Sequence, residues 1–195
     1  MALEQTRLRI TGKLPLMMHS NRGVNPREPL AQELKAITSK RQKSEEDLDQ
    51  IAYLEWQLGL YFKPGIGPYL RAEMVHACLR DAGKRSKQGK TVTEAVWIEE
   101  QEIPLEYEGP RDIDGLYADG RFFDLRPANV VGRTVNRARP VFPQWAAEFT
   151  VVFDAEVINK DDLLRIAELA GQRIGLGDYR PTFGRFTVAQ MNGRH

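Results

Sequence analysis

The chain has 195 residues, 42% of them hydrophobic and 28% charged, with a formal net charge of +1. Those proportions exclude a wholly disordered chain, and the apolar runs fall far short of the ~20 residues needed to cross a bilayer. The one cysteine, Cys78, excludes an internal disulfide and any cysteine-based zinc site.

The first ten residues, MALEQTRLRI, carry charge where an export leader is apolar, so the expected location is the cytoplasm, with no membrane partner. The length suits one domain over 1–195, at most one carrying a large insertion. Lys+Arg minus Asp+Glu is +6 over 1–90, −7 over 91–130 and +2 over 131–195, which sums to the net +1. A near-neutral total therefore conceals a basic and an acidic portion, a pattern suited to a nucleic-acid binder or to a subunit with complementary faces.

Residues 7–17 alternate, with Leu8, Ile10, Leu14 and Leu16 on one parity and Arg7, Arg9, Thr11 and Lys13 on the other. This predicts a half-buried strand with a basic outer face, ending near Pro15. A polar loop with His19 and Arg22 follows. Between Leu30 and Leu60 no residue breaks a helix before Gly59, and the apolar spacing predicts two helices, the second capped by Ser44 with Glu45, Glu46 and Asp47 in its first turn. Residues 30–62 are read as a helical insertion.

A third helix is expected over 69–85, with Leu70, Met74, Ala77, Cys78 and Leu79 as its apolar stripe, and a short strand over 95–98. Residues 99–124 hold most of the acidic excess and several turn dipeptides, so an irregular exposed segment is expected. The next two apolar-patterned segments, 130–141 and 148–153, suggest a hairpin. Asn159 then caps an amphipathic helix with Asp161 and Asp162 in its first turn, followed by a glycine-rich loop and a short strand over 186–188.

The loop is the best candidate for function. Gly175, Gly177 and Gly184 permit positive φ and close backbone approach, while Tyr179, Arg180 and Arg185 offer a stacking surface and cations for phosphate. Its glycines follow a helix and precede a strand, the reverse of a dinucleotide fingerprint, and no P-loop lysine follows. A plain connector with solvated arginines explains the same spacing. Cationic groups that could form a phosphate track are Lys40, Arg41 and Lys43 (with Lys35), Lys84 and Arg85 (with Lys87 and Lys90), and Arg133, Arg137 and Arg139. Of the three histidines, His19 stands in the polar loop as a hydrogen-bond donor to phosphate or a general acid, with no identifiable base. No metal site, cofactor motif or hydrolase signature is recognised, so no cofactor and no catalytic residue are assigned.

Gly67-Pro68-Tyr69-Leu70 opening a helix, and a later helix feeding Gly175-Leu176-Gly177-Asp178-Tyr179-Arg180-Pro181-Thr182-Phe183-Gly184-Arg185-Phe186, resemble the RAMP superfamily, the RNA-binding subunits of CRISPR effector complexes. Over most of the chain, stretches such as Glu106-Tyr107-Glu108-Gly109-Pro110-Arg111-Asp112 and Gly177-Asp178-Tyr179-Arg180-Pro181 resemble a family of tailed-phage and prophage proteins. The resemblance implies an α+β, ferredoxin-like β-α-β-β-α-β core with the helical insertion after the first strand. It also implies non-enzymatic binding of single-stranded RNA or DNA, RNA favoured, and homo-oligomers or filaments. Asp178 departs from a phosphate-binding loop by its charge. Two alternatives stand beside this expectation: a metal-independent RNA endonuclease using His19, and a protein-binding subunit that inserts into a CRISPR-type or phage assembly.

Overall fold

The computed structural model describes residues 2–130 and 132–191, without the side chains of Asn129, Val130 and Arg133. In chain order, β1 (Leu3–Gly12) and the short β2 (Leu16–Met17) precede α1 (Pro29–Thr38) and α2 (Glu45–Gly59). Next come β3 (Phe62–Lys63), β4 (Gly67–Arg71), α3 (Ala72–Arg85), α4 (Gly89–Ala95), β5 (Val96–Ile98) and β6 (Glu102–Pro104). The remainder is α5 (Ile113–Asp119), β7 (Phe123–Val130), β8 (Arg133–Phe142), β9 (Ala146–Asp154), α6 (Lys160–Leu169) with a π turn at Ala170–Ile174, and β10 (Phe186–Met191). The architecture is mixed α+β.

The described residues group into two compact units: 2–16, 62–108 and 143–191 in the first, and 17–61 and 109–142 in the second. The first is built on a four-stranded sheet in the order β10-β1-β9-β5. Every neighbouring pair is antiparallel: Ile10 faces Val188 on one side and Ala147 on the other, and Trp97 faces Val152. Leu8, Ile10, Phe149, Val151, Phe153, Val96 and Ile98 are buried on one face. The buried stripes of α3 (Val75, Cys78, Leu79, Ala82) and α6 (Leu163, Ile166, Ala167) supply the rest of this core. A smaller sheet, β3-β4-β6, belongs to the same unit.

The second unit holds α1, α2 and α5 and a sheet in the order β2-β8-β7. Its centre is the fully buried Trp56, whose indole N–H donates to the Phe122 carbonyl at 2.8 Å. Tyr117 packs edge-on against Trp56 and Tyr53, with ring centroids 5.2 and 4.7 Å apart. Ser44 caps α2 through a full capping box: its hydroxyl accepts from Asp47 N at 3.2 Å, and the Asp47 carboxylate accepts from Ser44 N at 3.1 Å.

Three expectations are corrected. The third helix begins at Ala72, not at 69, because the preceding residues pair as β4, with Leu70 opposite Ile103 and fully buried. The expected hairpin between 130–141 and 148–153 does not form. β8 pairs instead with β7, Arg126 opposite Arg137, and β9 lies between β1 and β5. Part of the segment 99–124 is regular: it contains β6 and α5, the latter capped by the Asp112 carboxylate accepting from Gly115 N at 2.8 Å. Acidic turn chemistry hid that helix, since Asp112 and Asp114 signal a turn and a helix start equally well.

Cys78 is buried on α3, and burial pushes its thiol up to about 12, the dominant cause. Its S–H donates to the Gly175 carbonyl at 3.2 Å. A thiol raised from its ordinary 9.0 stabilises the fold fully below about 9, and that contribution is lost as pH climbs towards about 12. Urea midpoints of the wild type should therefore fall more steeply than those of Cys78→Ala between about pH 9 and 11. Parallel pH dependences would show that the thiol ionises unhindered.

Candidate nucleic-acid interface

The glycine-rich loop belongs to the first unit and is bound tightly to it. Leu176 N donates to Gly184 O at 2.9 Å, Gly184 N to Pro15 O at 2.8 Å and Lys13 N to Arg185 O at 2.7 Å. Gly184 has φ 71°, and a Cβ there would stand 1.8 Å from the Leu176 carbonyl oxygen. A Cβ on Gly175 would stand 2.9 Å from the Phe183 oxygen. Gly177 has φ 76°, and Tyr179 adopts φ 53° with its N–H bonded to the Asp178 carboxylate at 2.9 Å. The connector geometry thus accounts for Gly175 and Gly184 without a ligand.

What the loop shows to solvent is limited. Arg180 is exposed, Arg185 turns its Nε–H back to the Pro181 carbonyl at 2.9 Å, and Tyr179 is half-buried beside Phe183. On α3 of the same unit, Lys84 pairs with Asp81 at 2.9 Å and Arg85 is exposed in the last turn.

Of the cations named from sequence in the second unit, Arg22, Lys40 and Arg137 pair with carboxylates there. Lys40 holds Asp47 at 2.6 Å, keeping that carboxylate below its ordinary range, and Lys43 Nζ donates to the Lys40 carbonyl at 2.9 Å. Arg41 is exposed beside them. Arg22 pairs with Glu28 at 2.9 Å. The Arg137 guanidinium donates to Glu55, whose second carboxylate oxygen accepts from Ala138 N at 3.1 Å. The side chain of Arg133 lies outside the described residues.

Three segments, the first and last more than a hundred residues apart, nevertheless converge. His19 and Ser20 from the loop after β2, Glu55 from α2, and Arg137 and Arg139 from β8 line one cavity of about 300 Å³. The alternation of β8 sends Arg137 and Arg139 to one side, and Glu55 anchors the strand from the facing helix. Of the residues singled out from sequence, His19, Arg137 and Arg139 are therefore neighbours. Among the described residues, no group of three or more His, Cys, Asp or Glu could hold a metal ion, and no helix is long and apolar enough to cross a membrane.

On the outer face of the four-stranded sheet, sequence reasoning found the basic side of β1 but missed an exposed tryptophan. Trp97 on β5 is 42% exposed there, opposite Val152. Arg7 reaches Glu148 at 3.1 Å, and Arg9 spans Glu106 and Glu148, each at 2.6 Å. The alternation of residues 7–11 signals the arginine face, but Trp97 in the short run Val96-Trp97-Ile98 reads as core until the strand has a register.

The loop geometry gives a sharp expectation. Gly184→Ala adds strain at positive φ and a backbone clash, so it should lower stability by about 3 kcal/mol or more, or prevent folding. Arg180→Ala, at an exposed position, should stay within about 0.5 kcal/mol of wild type. Urea titration monitored by circular dichroism separates them, and equal midpoints would contradict the close approach of Gly184 to Leu176. Neither the family models nor the curated proteins compared with this chain match it.

Proposed function

We propose that the chain binds single-stranded nucleic acid without catalysis, through the outer face of a ferredoxin-like core. Supporting that core is the strand order β10-β1-β9-β5, in which the segment containing α3 and α4 leads into β5, and α6 connects β9 to β10. The RAMP and phage resemblance adds a preference for RNA and self-association. The edge positions of the short β5 and of β10 are compatible with association, since a sheet edge carries backbone groups that another chain can pair.

The observation that carries the reading is the chemistry of the outer face. An exposed indole, Trp97, shares it with Arg7 and Arg9. Aromatic surface for bases beside cations for phosphates is what an unpaired strand requires. Both arginines are engaged by carboxylates, so binding exchanges Glu106 and Glu148 for phosphate oxygens. Such exchange gives modest affinity and favours a polyanion, which offers several phosphates at once.

Fluorescence anisotropy with labelled single-stranded RNA and DNA of one sequence, at about 50 and about 200 mM salt, tests this. Binding should weaken steeply with salt, and Trp97→Ala should cost about 5- to 100-fold in affinity, the value of a stacked base. Absence of binding at the lower salt sinks the function. Wild-type affinity in Trp97→Ala moves the surface elsewhere.

A further inference from the structure

We propose that the outer face of the four-stranded sheet selects guanine, through the carboxylate of Glu99 and the guanidinium of Arg7. The inference rests on the strand-binding reading above and gives that surface its base preference.

The register places both groups in one row. Glu99 N donates to Thr150 O at 3.0 Å, so Glu99 continues β5 beside β9, and Arg7 faces Thr150 from the other side. Glu99 stands two positions after the exposed Trp97, on the same parity, and is itself exposed. Alternation along the strands therefore brings Trp97, Glu99, Thr150 and Arg7 to one face. Gln5, Arg7, Glu99 and Thr150 are among the residues that line a hollow of about 380 Å³. That is ample for a nucleobase, so polar groups rather than shape do the selecting.

Glu99 is the group that tells the bases apart. Its carboxylate enters no ion pair or hydrogen bond among the described residues, unlike Glu106 and Glu148, which hold Arg9. An ionised carboxylate only accepts hydrogen bonds, and a bare one repels a polyanion unless it meets donors. Guanine alone among the four bases sets two donors, N1–H and N2–H, side by side on its Watson–Crick edge, and a carboxylate accepts both as a fork. Adenine and cytosine place a ring acceptor beside their amino group, and uracil offers one N–H between two carbonyls. Arg7 is 61% exposed, and Glu148 engages it at Nη2 alone, at 3.1 Å. Its remaining N–H groups suit O6 and N7, the pair of acceptors by which arginine recognises guanine. Two strand spacings, roughly 10 Å, separate the Glu99 and Arg7 backbones, which leaves room for a base between the side chains. Lys160 lines the same hollow with no carboxylate partner among the described residues, and offsets the charge of Glu99 towards a phosphate.

The test uses the full chain and labelled uridine-rich RNAs of one length, read by fluorescence anisotropy at about 50 mM salt. They carry guanine, inosine, adenine or cytosine at the same spaced positions. The guanine strand should bind about tenfold or more tightly than the adenine and cytosine strands. Inosine, which lacks the N2 amino group, should lose part of that preference. Glu99→Gln should abolish the preference while the adenine strand binds as well or better, since a repelling charge has gone. A residue that merely supported the sheet would weaken every strand alike. Equal affinity for the four strands overturns the inference and leaves strand binding standing. A guanine preference that Glu99→Gln leaves intact overturns it too. Binding of none of the four overturns the strand-binding function, and this inference with it.

Discussion

The first unit depends on one constraint: β1 is hydrogen-bonded along both of its edges. Arg7 faces Thr150 of β9 on one side and Met191 of β10 on the other, so a strand near the N-terminus organises segments some 140 to 180 positions later. The ends of the sheet follow from it. Gly12 lies so close to Trp145 that a Cβ would stand 2.3 Å from the indole nitrogen, and that indole N–H donates to the Leu14 carbonyl at 3.0 Å. Pro15 and Lys13 then receive the glycine-rich loop. The loop therefore completes the sheet that β1 begins, and its glycines answer to backbone approach before they answer to any ligand.

Features legible in the sequence are those whose cause lies within one helical turn. Ser44 and Asp47 make a reciprocal cap three residues apart, Asn159 caps α6 by accepting from Asp162 N at 2.8 Å, and the α6 stripe repeats at helical spacing. Features not legible have causes far away in sequence. Gly67–Arg71 contains residues that suit a helix start, yet Leu70 pairs with Ile103 across a sheet that no local pattern announces. β8 has alternating arginines that suit a hairpin with either neighbour, and the register with β7 decides between them.

The same distance rule governs charge. Runs of cations in the sequence suggested phosphate tracks, but the structure answers Lys40 with Asp47, Lys84 with Asp81 and Arg137 with Glu55. Arg9 draws one carboxylate from residue 106 and another from residue 148. A cluster counted along the chain therefore overstates the field that a ligand meets. The solvent-exposed pairs among these, such as Lys84–Asp81, contribute only a few tenths of a kcal/mol to about 1 kcal/mol each.

This separates the residues that shape the protein from those that could act for it. Gly184 and Trp56 are set by packing, and a change at either alters the fold before it alters any surface. Trp97, Arg180 and His19 are exposed. Trp97 lies on the outer face of a sheet whose other face is buried against α3 and α6. On the proposed reading its presence reflects a flat partner.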